Sequence, residues 1–265
     1  MVVTIASWLG LAIVMILAAE AGFRVSTVLR RRRPEGDETD EGAGYVLSAA
    51  LALLGLLIAF VFGMAAERYE GRRLLVVDEA NAISTAALRY QLLPEPHRSE
   101  LIGTMADYVK VRLTFFDSGR DMTKVREAED RAEAIQARIW AQVGQAIRTP
   151  EGAPLVVPVL TATNEMFDLA ASRHAALDAR VPARAVQVLL LFAVAAAALM
   201  GHSLAADGRR HLISTSGLFV LVALAISLIV DLDSPRIGRI LVPQGPMIHV
   251  AEQVTEMAAG LGVAK

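Results

Sequence analysis

The chain has 265 residues, of which 54 % are hydrophobic and 20 % charged, with a net charge of −2 and no cysteine. That balance gives no basic excess for nucleic acid, and the missing thiols exclude disulfides, thiolate metal sites, iron–sulfur clusters and a cysteine nucleophile. A mean hydropathy of +0.46 is high for a soluble domain, so the charges must be segregated from long apolar runs.

A helix needs about 20 mostly apolar residues to cross roughly 30 Å of hydrocarbon, and four stretches meet that requirement. The first covers 1–29 and is interrupted by Glu20 and Arg24, which stand four apart and pair on one helix face. Ala19-Glu20-Ala21 resembles a leader cleavage motif. No basic residue precedes the apolar run and an arginine cluster follows it, so a retained span is expected. A charged linker follows at 30–44, with Arg30, Arg31, Arg32 and Arg33 beside Glu35, Asp37, Glu38, Asp40 and Glu41.

The second span, 45–66, contains no charge. At about 100° per residue, Ser48, Ala52, Gly55, Ala59 and Gly63 fall on one face, and small residues let helix backbones approach closely in lipid. The opposite face carries Leu53, Leu57, Phe60 and Met64. In a monomer that face meets lipid. In a ring of subunits Leu57, Phe60 and Met64 would instead stack as a hydrophobic constriction of the kind that gates ions by dewetting.

The helical pattern continues past Glu67 to about Leu92, so span two and the first helix of the middle domain are expected to form one rod of about 70 Å. Leu75, Ile83, Ala86 and Ala87 recur at helical spacing, while Arg72, Asp78, Glu79 and Arg89 take other faces. Leu92-Leu93-Pro94-Glu95-Pro96 ends this helix, because proline disfavours helical geometry in the residue before it.

Within the middle domain, 67–183, three more helices follow. The first, 96–116, has Leu101, Met105, Tyr108, Val109, Arg112 and Phe115 as its stripe. The next is capped by Asp121 or Thr123, is strongly charged, and faces solvent over most of its surface. The last, 155–178, turns Leu160, Met166, Phe167, Ala170 and Leu177 inward. Short breaks between helices predict an antiparallel bundle.

The third span covers 184–206, a short loop 207–211 and the fourth span 212–231. The remainder, 232–265, begins as a loop with a short extended piece at 239–242. It ends in an amphipathic helix with Ile248, Ala251, Val254, Met257 and Ala258 on one face, lying on the membrane or packed on the bundle. The fold class is therefore an all-α integral membrane protein of four spans with an inserted antiparallel helical bundle, the second span continuous with the first bundle helix.

Nothing in the chain has the spacing of a catalytic or nucleotide-binding motif, so no enzyme activity, cofactor or metal is expected. Five histidines are scattered, and His202 reads as an interfacial residue near a span end. Asp78 and Glu79 point about 100° apart on a helix, poor geometry for an acid–base dyad. Glu79, Asn81, Arg112, Asn164 and Asp168 are candidates for a polar seam between helices. The plainer alternative for them is an ion-pair network that serves stability.

Phe60-Val61-Phe62-Gly63-Met64-Ala65-Ala66-Glu67-Arg68-Tyr69-Glu70-Gly71-Arg72-Arg73, followed by Asp78-Glu79-Ala80-Asn81-Ala82-Ile83, resembles the bestrophin-like family of bacterial and plant membrane proteins. So do Leu92-Leu93-Pro94-Glu95-Pro96 with Tyr108 and Arg112, Asn164-Glu165-Met166 with Arg173, and Asp231-Leu232-Asp233-Ser234-Pro235 with Gly238. Through its distant relation to the bestrophins, the resemblance implies a homo-oligomeric, pentameric channel permeable to inorganic anions, with span two lining a hydrophobic neck at Leu57, Phe60 and Met64. Asp231 and Asp233 alone offer too few oxygens for a six- to eight-coordinate calcium ion.

The expected setting is the lipid bilayer of the inner (plasma) membrane, crossed several times. Arginine placement, with Arg30–Arg33 and Arg209-Arg210 in short loops, puts the middle domain outside the cytoplasm. The resemblance implies that it lies inside. The competing functional reading is a membrane-anchored sensing or interaction module that acts through a partner protein, motivated by the long helix joining membrane to bundle.

Overall fold

The computed structural model describes residues 2–31, 41–119, 121–206, 211–236 and 238–263. The arginine–acid linker at 32–40 and the turn at 207–210 lie outside the described residues. In chain order the helices are α1 (Val2–Arg31), α2 (Glu41–Tyr90), α3 (His97–Asp117), α4 (Met122–Ala146), α5 (Val156–Asp178), α6 (Ala183–Ala206), α7 (Leu212–Asp233) and α8 (Gly245–Gly260). One turn of 3₁₀ helix, Ala153–Leu155, leads into α5. No strand occurs among the described residues. Among the described residues four stretches are long and apolar enough to cross a membrane; they fall on α1, α2, the α5–α6 run and α7.

The chain forms two compact units. The first comprises Met1–Arg68, Arg180–Ser234 and Gly238–Ile240. Its core brings together Met15 and Ala19 of α1, Leu54, Val61 and Ala65 of α2, Leu189, Ala193 and Ala197 of α6, and Phe219, Ile226 and Ile229 of α7. Outward-facing Leu17, Leu191 and Leu221 stay exposed, as residues that meet acyl chains rather than water do.

The tightest approach in this unit is between α1 and α6. A Cβ at Gly22 would collide with the Ala198 carbonyl, and one at Gly201 with the Ala19 carbonyl. Close packing through small residues, expected of α2, is made within this chain by α1 and α6 instead. α2 joins the core through the larger side chains of Leu54 and Val61, which bridge a wider gap. Glu20 and Arg24 pair at 2.8 Å as their spacing predicts.

The loop after α7 is tied back to that helix. The Asp231 carboxylate accepts the backbone N–H groups of Arg239 (2.8 Å) and Ile240 (3.1 Å), and Asp233 accepts that of Val181 (2.8 Å). A Cβ at Gly238 would fall 2.7 Å from the Asp231 carbonyl oxygen, so the turn needs glycine there.

The second unit comprises Tyr69–Ala179, Pro235–Ile237 and Leu241–Lys265. Its core draws Ile83 and Tyr90 from α2, Leu101, Met105, Tyr108 and Val109 from α3, Ile139 and Val143 from α4, and Met166 from α5. Met247, Val250 and Val254 of α8 complete it. The α3 stripe read from the sequence is buried at every position, Arg112 included. Asp121 caps α4 by accepting the N–H groups of Thr123 and Lys124, and Gly119 (φ +54°) makes the left-handed turn before it.

Of the two placements open to the terminal helix, the structure takes the bundle, and the helix differs from expectation only in its buried face. It packs on the bundle, against α3, which makes a fifth bundle helix. Its buried face is Met247, Val250, Val254 and Ala258, leaving Ile248 half exposed. The face is set by Met247 and Val250, which fit the bundle core; one Ile at the helix start does not outweigh them.

Candidate pore helix and buried charge cluster

Within the first unit, α2 presents three kinds of side. Leu54, Val61 and Ala65 are buried in the core, and Leu57 and Met64 lie half-buried at its margin. Ser48, Ala52, Gly55, Ala59 and Gly63 are all exposed, and a Cβ at Gly55 or Gly63 would meet no atom within 4 Å. Leu53, Leu56 and Phe60 are exposed beside them, Phe60 at 64 %. At about 100° per residue, the exposed positions span about half the helix circumference. The small residues and Phe60 thus share one uncovered surface, and Leu57 and Met64 border it.

The second unit buries a cluster of charge. Helical spacing sets Glu79 off the apolar face of α2, yet it is fully buried. It is tolerated there because two guanidiniums meet it: Arg112 of α3 donates from Nε to Oε1 at 2.6 Å, and Arg173 of α5 donates from Nη1 to Oε2 at 2.6 Å. A buried carboxylate without such partners would be driven neutral or destabilise the fold. Arg173 also donates from Nη2 to the Gln244 side-chain oxygen and stacks on the Phe116 ring, 3.5 Å from guanidinium carbon to centroid.

Polar neighbours complete the cluster. The Tyr108 hydroxyl accepts from Gln136 Nε2 at 3.1 Å, and burial pushes its phenol up to about 12. Tyr90 and Thr163 share a hydrogen bond of 2.8 Å between α2 and α5. Next to the cluster, Arg236 stacks over Phe115 at 4.2 Å and donates to the Phe115 carbonyl at 3.0 Å. Burial lowers its guanidinium, against the opposing pull of Glu129 and Asp178.

Of the seam candidates, the structure brings Glu79 and Arg112 together. Asn81, Asn164 and Asp168 are exposed and join neither. Asp78, adjacent to Glu79, is also exposed, so the two carboxylates do not share a site. Arg173 and Gln244 join the cluster without a helical pattern that marks them. Arg173 stood in the family-like segment of α5. Gln244 carried no periodic signal, because it lies in a loop. No group of three or more His, Cys, Asp or Glu arranged to hold a metal occurs among the described residues, and Asp231 and Asp233 are engaged by backbone N–H groups.

No curated protein matches the chain. Solved structures do. A crystal structure of a bacterial bestrophin homologue from Klebsiella pneumoniae, bearing a point mutation, superposes with a TM-score of 0.69 at 12 % identity, covering 94 % of this chain and 98 % of that one. A second variant of the same homologue gives 0.69 at 14 % identity, covering 96 % and 98 %. A structure of the homologue phased on zinc gives 0.65 at 13 %, covering 93 % and 98 %. At such identities these likenesses establish the fold. The Bestrophin-like domain matches residues 13–247. The chain, a helical membrane protein with the fold of the bacterial bestrophin homologues, belongs to the Bestrophin-like family.

Proposed function

We propose that this chain is the protomer of an oligomeric ion channel of the inner membrane, anion-permeable and pentameric, whose conduction path is lined by the first half of α2. The observation that carries this reading is the uncovered surface of α2, where Phe60 stays exposed although the chain builds a core against the same helix. A large aromatic ring left outside its own core is accounted for when subunits close into a ring and the rings of Phe60 meet around an axis. Leu57 and Met64, at the margin of that surface, would extend the constriction by about a helical turn on either side. Ser48, Ala52, Gly55, Ala59 and Gly63 would let helices of neighbouring subunits approach closely. Family membership and the fold of the bacterial bestrophin homologues support the channel reading.

Purified protein in a planar bilayer under a chloride gradient should conduct and reverse near the chloride potential, and Phe60→Ala should raise the open probability. A monodisperse oligomer silent at every voltage and calcium level would overturn the channel. Reversal at the cation potential would overturn anion permeability. A five-fold particle in projection images is expected, and any other symmetry would remove the pentamer.

Family membership also favours a cytoplasmic middle domain over the arginine-based orientation. The chain has no cysteine, so one introduced at exposed Glu127 of α4 can be labelled without background. A membrane-impermeant maleimide should leave Glu127→Cys unmodified in intact spheroplasts and modify it after lysis. Modification before lysis would reverse the orientation.

A further inference from the structure

The second unit contains a cavity of about 280 Å³ whose wall is unusual in charge. Arg72 of α2, Arg173 of α5 and Arg236 after α7 all line it, and no carboxylate among the described residues does. The rest of the wall is mostly apolar, with Leu177 of α5, Leu241 and the Phe116 ring of α3 prominent. Interior guanidiniums ordinarily come with acids, because uncompensated buried charge is costly. Here Glu79 compensates Arg112 and Arg173 from behind the wall, through bonds already made to both. Glu129 and Asp178 act on Arg236 at longer range. Among the described residues Arg236 makes one hydrogen bond, to the Phe115 carbonyl, although a guanidinium carries five N–H donors in a planar fork.

The guanidiniums are also held in place. Phe116 stacks on Arg173, Phe115 stacks on Arg236, and Gln244 fixes the outer nitrogen of Arg173. Arginine forks held by ring stacking and hydrogen bonds cost little entropy when a carboxylate arrives, since their geometry is already set. The volume lies near the lower limit for small-molecule pockets, and an apolar wall with a few convergent polar groups is the usual make-up of such sites.

We infer that this cavity is a binding site for a small organic anion, its carboxylate taken by Arg236 and Arg173 and its apolar body by Leu177 and Leu241. The site belongs to the second unit alone, so it does not depend on α2 lining a pore. Inorganic anions lack the apolar body and fill the cavity poorly. A neutral ligand of the same shape gains no charge-assisted contact from Arg173 and Arg236.

The test uses the purified full chain in detergent with three probes: benzoate, benzyl alcohol and inorganic phosphate, each titrated by calorimetry and by thermal melting. Benzoate should bind saturably and raise the melting temperature, and the other two should do neither. Loss of one charge-assisted contact in Arg236→Gln should weaken benzoate by about tenfold or more. Leu177→Phe, which narrows the cavity from its apolar side, should weaken benzoate relative to its own unliganded protein. If either variant fails to fold, the other carries the test. Absence of saturable benzoate binding would overturn the inference. So would equal binding of phosphate, equal binding of benzyl alcohol, or unchanged affinity in both variants. None of these outcomes bears on conductance, which is measured separately.

Discussion

Replacement of Glu79 by Gln is the most informative single change in the bundle. It keeps the shape of the side chain and removes the charge that two buried arginines share. Glu79 is fully buried, and Arg112 and Arg173 each donate to it at 2.6 Å. Hydrogen bonds to charged groups contribute about 1.5–3 kcal/mol each, so two give about 3–6 kcal/mol. Breaking a buried ion pair by removing one partner costs about 3–5 kcal/mol, since the charge left behind is uncompensated. At roughly 2–4 °C per kcal/mol for a chain of this size, the melting temperature should fall by about 6–20 °C.

The assay is a thermal melt of the purified protein followed by tryptophan emission. Trp140 on α4, next to Phe167, reports from the bundle. A triple variant, Glu79→Leu with Arg112→Met and Arg173→Met, should recover most of the loss, because apolar residues of similar volume replace buried ions at little net cost. A Glu79→Gln protein that melts within about 2 °C of its parent would refute the account of the cluster. A triple variant no better than the single one would refute the part that assigns the loss to orphaned charge rather than to packing.

Three further tests probe helix packing, the buried phenol and the loop after α7. Gly201→Val should separate α1 from α6 and cut the yield of folded protein, whereas Gly63→Ala, facing open space, should leave the protomer intact. Yield and light scattering on size exclusion measure both, and a Gly63→Leu protein that keeps its full oligomer mass would remove the small face from subunit packing. Burial raises the Tyr108 phenol from 10.0 to about 12 in the folded chain, so its stabilising effect is fully present below the lower value and is lost as pH rises through the upper one. Tyr108→Phe should remove a late component from the tyrosinate absorbance titration; an unchanged titration curve would refute the burial. Asp231→Ala removes the acceptor for two backbone N–H groups of the following loop, so limited proteolysis after α7 should speed up by about tenfold or more, while Ser234→Ala should not change it.

The four apolar helices, the unbroken run of α2 and the buried stripe of α3 are all legible in the amino-acid order. Each depends on a repeat within one segment, and lipid and bundle core impose that repeat locally. The polar seam was legible only in part. Glu79 and Arg112 stood among the candidates, but helical periodicity assigns a carboxylate to the water side. Glu79 is buried because Arg112, 33 positions on, and Arg173, 94 positions on, arrive at the same place. The same limit applies to Gln244, which sits in a loop and reaches Arg173 across 71 positions. It applies also to α8, where the buried face turned on which side chains the bundle could accept.

What the sequence determined by itself is a membrane protein of four apolar helices with an inserted bundle, because the lengths and periods that lipid and core demand are written within single segments. Only the tertiary structure decided where charge is buried, which glycines let α1 and α6 touch, and which side of α2 stays uncovered. Those outcomes depend on groups far apart in the chain meeting in space, and a single-segment pattern carries no record of its partners.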